Sequence, residues 1–377
     1  MRVFGLVLLI MVGVVFMVGP AGLLALLTPE WLNVKVWTII ILIYYFLATL
    51  LPIDKIIARF YPIFGIFLIL MAVGVSVATI LHNGTRPMME LTLENLYPSA
   101  NQRPIWPLMF ITVACGAISG FHATQSPIVS RTLKNEKEGR WVFYGAMVAE
   151  GIIAMVWASA AIAFFWNKDG SGTGLKALLE IGGGNSKSVY AICTGLLGTV
   201  GGAIAMVGVI ACPITSGDTA FRSARMIVFD WFKLDEKNLK TRLSIAVPLL
   251  LIGYCISLIN YNVVWRYFSW SNQTLAMIVL WTGGAYLATN YPNRNRCWIA
   301  VIPATFMSAV SVTYLMYAPE CFNLVRLGMQ GITISYVVGI VVAAVFFIIF
   351  MTRIYMRPQQ SLESQRKIII GRAHHSN

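Results

Sequence analysis

The chain has 377 residues, of which 58% are hydrophobic and only 11% charged, with a mean hydropathy of +0.74. Soluble domains carry about 25% charged residues, so a water-exposed globule is excluded and a lipid bilayer is the solvent that suits this composition. A formal charge of +13 does not point to nucleic acid, because the Lys and Arg residues are dispersed among the segments between apolar runs.

About 20 consecutive apolar residues cross the hydrocarbon as one helix, and a helix satisfies its own backbone polar groups there. Ten such runs follow in order: residues 3–27, 36–51, 61–81, 105–120, 141–166, 188–212, 243–260, 270–289, 297–317 and 332–351. They predict an all-α polytopic membrane protein. Runs shorter than about 20 residues leave room for broken helices. The first run follows Arg2 and exceeds the apolar core of about 7–15 residues usual in signal peptides, so it is read as a retained helix. With the N-terminus in the cytoplasm, most of the 28 Lys and Arg residues fall on the inner side, including Arg131, Lys134, Lys137, Arg140, Arg222 and Arg225. The positive-inside rule asks for this bias, and ten spans place both termini in the cytoplasm of an inner-membrane protein. Residues 1–356 form the transmembrane domain, and residues 357–377 form a basic cytoplasmic tail.

Along the chain, four polar features stand out. The stretch from Ala114 to Pro127 interrupts a run with Gly116, Gly120 and Pro127, and supplies Ser119, His122, Thr124, Gln125 and Ser126. Broken helices with such polar groups build substrate sites in secondary transporters; the competing reading is a helix end capped at the interface. Glu150 is the one acid among fifteen placed deep within a run. An intramembrane acid is a functional candidate, as a protonatable or cation-binding group, or as a hydrogen bond to a neighbouring helix. A second break is expected at Cys212-Pro213, where Thr215, Ser216 and Asp218 are hard oxygen donors suited to sodium, or alternatively cap a cytoplasmic helix running to about Phe232. Finally, Asn272 and Gln273 follow an aromatic group at Trp265–Trp270 that suits an interfacial belt, and they are candidate pore-facing groups.

The six cysteines show no metal-ligand spacing, and GxSxG, HExxH and P-loop patterns do not occur. No metal, cofactor or catalytic residue is therefore expected. Asn83-Gly-Thr85 matches a glycosylation sequon and is given no weight.

Three stretches taken together carry a family resemblance: Ile118-Ser-Gly-Phe-His-Ala-Thr-Gln-Ser-Pro127, Ser216-Gly-Asp-Thr-Ala-Phe-Arg-Ser-Ala-Arg225 and Phe268-Ser-Trp-Ser-Asn-Gln-Thr-Leu-Ala276. They resemble, in order, the signature stretches of the carbon starvation protein A family. The resemblance implies an importer of peptides or pyruvate, driven by an ion gradient, of the amino acid–polyamine–cation superfamily, with an inverted-repeat fold. Members of that family ordinarily begin with further transmembrane segments, so the resemblance implies an N-terminally shortened chain whose broken helix at Cys115–Pro127 lacks its symmetry partner.

The expected substrate contacts are Gly116, Ser119, Gly120, His122, Thr124, Gln125, Asn272 and Gln273. Ion coupling is expected at His122 and Glu150 for protons, or at Glu150 with Thr215, Ser216 and Asp218 for sodium. The expected partners are a small-molecule solute and the bilayer, with oligomeric state open. A non-transporting sensor or an incomplete transporter fragment is the alternative.

Overall fold

The computed structural model describes residues 2–50, 53–96, 103–166, 178, 185–235, 238–291 and 293–356; the predicted tail at 357–377 lies outside the described residues. Among them every regular element is helical. The principal helices are α1 (Arg2–Leu27), α2 (Val34–Leu50), α3 (Ile53–Leu81), α4 (Ile105–Ala117), α5 (Gly120–Thr132), α6 (Ala146–Phe165), α7 (Asn185–Phe232), α8 (Leu239–Ser257), α9 (Tyr261–Asn290), α10 (Trp298–Tyr317) and α11 (Met329–Phe350).

Eight helical stretches among the described residues are long and apolar enough to cross a bilayer. Each of the ten predicted runs falls on helix. The two outside the eight are α2, a shorter apolar helix, and α9, which is 30 residues long but carries the polar run Ser269–Thr274. Outward-facing Ile66, Ile69, Leu70, Val73, Val337, Ile340 and Val341 are exposed. That apolar exterior would be unfavourable in water and suits lipid.

The chain forms two compact units: Met1–Ala100 with Thr124–Phe268, and Asn101–Ala123 with Ser269–Asn377. In the first, α1 packs along α7 and also meets α2 and α8, while α3 packs on α7 and α6. Leu8, Leu9, Val12 and Met17 of α1 are fully buried. Small residues let the helices approach: Gly13 of α1 and Gly253 of α8 both lie against the Phe221 ring. Arg2 pairs with Asp230 at 2.8 Å, and a Cβ on Gly5 would meet Ile227, so the C-terminal part of α7 runs antiparallel to α1.

The second unit packs α10 against α11 and α4. Its core gathers Ile111, Met277, Met307, Val310, Tyr314 and Ile332, and Gly339 admits Thr313 at a close helix crossing.

Helix α7 corrects two expectations. It does not end at Cys212-Pro213 but continues unbroken through Pro213 to Phe232, so Ser216 and Asp218 do not cap a cytoplasmic helix, and Arg222 and Arg225 do not sit in a loop. Pro213 lacks only one N–H, and a helix in a protein interior tolerates that loss where neighbours re-satisfy the backbone. The discontinuity lies instead at Gly198, at φ 70° and ψ −175°. This φ suits glycine. There the helix folds back: a Cβ on Gly202 would lie 3.0 Å from the backbone of Cys193, two positions that a straight helix would hold about 13 Å apart. The predicted run 188–212 is therefore two arms and not one crossing.

Candidate functional site

The first polar group lies in the second unit, where the interruption anticipated between Gly116 and Pro127 is real and confined to Ile118 and Ser119. Helix α4 stops at Ala117; Ile118 takes extended geometry (φ −142°, ψ 95°), and its N–H closes onto the Ala114 carbonyl at 2.6 Å. Helix α5 restarts at Gly120, and Pro127 sits within α5. Helix breaks leave backbone groups without intrahelical partners, and here a side chain from α9 meets them.

That side chain is Asn272, which is 0% exposed. Its Oδ1 accepts the Phe121 N–H at 2.9 Å and stands 3.2 Å from the Ser119 hydroxyl; its Nδ2 donates to Ser119 Oγ at 3.0 Å and reaches Cys115 Sγ at 3.5 Å. Ser119 Oγ also faces the Phe121 N–H at 3.3 Å. The fit needs glycine at 120: a Cβ there would collide with the Asn272 carbonyl oxygen and lie 2.8 Å from Leu275 Cβ.

Gln273 is likewise 0% exposed. Its Nε2 donates to the Ile111 carbonyl of α4 at 3.2 Å, while its Oε1 is buried without a hydrogen-bond partner among the described residues. Flipping the amide would place oxygen against the Ile111 carbonyl, so the orientation is chemically determined. Asn272 and Gln273 are thus sealed and not pore-lining in this conformation. Gly116 and His122 are half-buried on either side of the break.

A second polar group lies in the first unit, on the 199–232 arm of α7. Asp218 is buried and accepts a hydrogen bond from Arg222 at 3.1 Å. Thr215 and Ser216 donate to the Cys212 carbonyl at 2.8 and 3.1 Å, which is the local pattern hydroxyls adopt inside helices. Gln125 donates to the Ser223 hydroxyl at 3.0 Å and to Thr124 Oγ1 at 3.3 Å. Glu150 of α6 is half-buried and close enough to Cys212 to act on it electrostatically.

Tyr45 of α2 completes this group. Its hydroxyl donates to the Phe16 carbonyl at 3.3 Å. Pro20, one turn later in α1, has no N–H to offer that carbonyl. The Tyr45 ring lies on Gly217, leaving no room for a side chain there.

The roles of Tyr45, Arg222, Ser223 and Arg225 were not anticipated. The sequence does hold a signal: Asp218, Arg222 and Arg225 stand at helical spacing and share one face. Assigning the segment to a loop hid it.

Residues 1–170 match the family model described as Carbon starvation protein CstA, and the three signature stretches stand in the expected order on helices of a polytopic membrane protein. The chain belongs to the CstA carbon starvation family. It is 39% identical over 210 residues to an uncharacterized membrane protein of Haemophilus influenzae, a match covering 43% of this chain and 57% of that relative. It is 32% identical over 162 residues to the pyruvate/proton symporter BtsT of Escherichia coli, covering 39% of this chain and 22% of BtsT. It is 24% identical over 278 residues to the peptide transporter CstA of Escherichia coli, covering 56% of this chain and 40% of that transporter. The chain therefore spans at most about three-fifths of the length of each of these relatives. Within the CstA family match lie the Ile118–Ser119 break and Glu150; Asp218, Asn272 and Gln273 lie beyond it.

Proposed function

We propose that this chain works in an ion-gradient-driven secondary transporter of the cytoplasmic membrane, with both termini in the cytoplasm, importing small organic solutes by alternating access during carbon limitation. The solutes are peptides or pyruvate, the substrates named for its relatives. The observation that carries this reading is the helix break at Ile118–Ser119, buttressed by Asn272. A helix interrupted inside an apolar protein exposes backbone donors and acceptors that a continuous helix would hide, and such groups bind polar solutes at membrane depth.

In this reading the solute meets Gly116, Ser119, Gly120 and His122, while Asn272 and Gln273 act as positioning residues that hold the break in shape. Thr124 and Gln125 belong with the Ser223 group of α7. Coupling uses a proton or sodium ion. Asp218 already has a cation in Arg222, so of the two acids Glu150 is the one assigned to ion coupling, with His122 as a second proton carrier. The hydroxyls of Thr215 and Ser216 would have to turn from the Cys212 carbonyl to bind sodium.

The test is uptake of labelled pyruvate and a labelled dipeptide by cells lacking their own carriers, with the proton and sodium gradients collapsed in turn. Accumulation that stops when one gradient collapses identifies the coupling ion. Glu150→Gln should abolish accumulation while leaving solute exchange partly intact. Full accumulation by that variant removes Glu150 from coupling, and no uptake of either solute despite membrane insertion refutes the transport reading.

A further inference from the structure

The buried charge of this molecule is concentrated in one place. Among the described residues, the charged side chains in the buried class are Asp218 and Arg225, and both stand on the 199–232 arm of α7. Arg222 lies between them and bridges to Asp218. The three occupy one helical face, at a height set by two contacts: the Phe221 ring meets Gly13, and Gly217 faces Tyr45 beside Phe16. Gly13 and Phe16 are in the middle of α1, a candidate span of 26 residues. Charge held so far inside an apolar helix bundle is expensive and marks a functional group.

The two partners of the bridge differ in access. The Asp218 side chain is 7% exposed, whereas that of Arg222 is 25% exposed. Tyr45, held against Gly217 and hydrogen-bonded to the Phe16 carbonyl, covers the acid's side of the helix. An incoming anion would therefore meet the guanidinium before the carboxylate. The bridge itself is one contact at 3.1 Å between single nitrogen and oxygen atoms, not the paired fork that gives an Arg–carboxylate bond its full strength. A planar guanidinium suits a carboxylate better than any other side chain does.

We propose that Arg222 is a carboxylate-binding residue of the first unit, retained by Asp218 when unliganded and handed to the carboxylate of the solute on binding. The inference rests on the transport reading above and narrows its substrate class to solutes with a free carboxylate, the group that a 2-oxo acid and an unmodified peptide share. No bond is made or broken in the exchange; one ion pair replaces another.

The test uses the purified full chain in lipid nanodiscs and titration calorimetry with three probes: alanyl-alanine, alanyl-alanine amide and pyruvate. The wild-type chain should bind alanyl-alanine at least tenfold more tightly than its amide. Arg222→Gln should erase that preference, Arg222→Lys should keep part of it, and Asp218→Asn should bind the free acid no more weakly than wild type. Thermal melting of each variant separates loss of the site from loss of the fold, with Arg222→Lys as the gentler substitution if Arg222→Gln does not fold. Equal binding of acid and amide by wild type, a preference that survives Arg222→Gln, or no binding of any probe overturns the proposal. Arg222-dependent binding without uptake into vesicles sinks the transport reading alone; uptake indifferent to Arg222 and to the terminal carboxylate sinks the present proposal alone.

Discussion

Replacing Asn272 with alanine should loosen the helix break more than any other single change at it. Asn272 joins Phe121 N–H, Ser119 Oγ and Cys115 Sγ to α9. A typical intramolecular hydrogen bond contributes about 0.5–1.5 kcal/mol net, and interhelical bonds in a membrane protein average about 0.6 kcal/mol. The sulfur contact at 3.5 Å is the weakest of the three. Asn272→Ala should therefore cost about 1–3 kcal/mol, because the Phe121 N–H keeps only Ser119 Oγ, at 3.3 Å. Ser119→Ala should cost less, about 0.5–1 kcal/mol, since Phe121 N–H retains Asn272 Oδ1 at 2.9 Å. At about 2–4 °C per kcal/mol for a chain of this order of size, the asparagine variant should melt several degrees below the serine variant in detergent. Amide hydrogen exchange gives a local readout: Phe121 should lose protection in Asn272→Ala and keep it in Ser119→Ala. A larger loss from Ser119→Ala, or unchanged protection of Phe121 in Asn272→Ala, would refute the account of how the break is held.

Three further outcomes are expected. Gly198→Ala should destabilise by about 1–2 kcal/mol through backbone strain alone, because φ is 70° and nothing stands within 4 Å of the added Cβ; Gly198→Asn should melt closer to wild type than Gly198→Val. Tyr45→Phe should cost about 0.5–1.5 kcal/mol by orphaning the Phe16 carbonyl, and that cost should shrink in a Pro20→Ala background, where residue 20 regains its N–H; a double-mutant cycle in thermal melts with no coupling would disprove the link. Burial pushes the Cys321 thiol above its ordinary value of 9.0. The folded thiol then holds its proton longer than the unfolded one, so its contribution to stability is complete below pH 9 and declines above it; maleimide labelling of Cys321 at neutral pH should be slow and accelerate only in strongly alkaline buffer.

Much of the architecture was legible in the chain itself. Runs such as Val3–Leu27 and Ile332–Met351 are apolar over a full bilayer crossing, and only a helix satisfies its own backbone there. The interruption near Ser119 was legible too, since glycines weaken a helix and hydrogen-bonding side chains clustered inside an apolar run are costly unless they meet an opened backbone. Its partner was not. Asn272 is separated from Ser119 by more than one hundred residues, and nothing local to Trp270–Thr274 distinguishes a sealed buttress from a pore-facing amide.

Proline misled in one place and informed in another. Pro213 suggested a break, yet the helix runs through it, because one missing N–H is a small loss inside a packed bundle. The true reversal falls at Gly198, where the preceding and following residues are as helix-compatible as any in the chain. Glycine permits positive φ but does not require it; contacts with α3 and α6 select the fold-back. In the same way Arg222 and Arg225 satisfied the charge bias of a cytoplasmic loop when only their sequence was considered. Composition and periodicity decide that a segment prefers lipid and where its helices begin, because both are sums over neighbouring residues. Which helix stands beside which, and so whether a carboxylate finds an arginine or a carbonyl finds a tyrosine, depends on packing between distant segments, and the tertiary structure alone decided it.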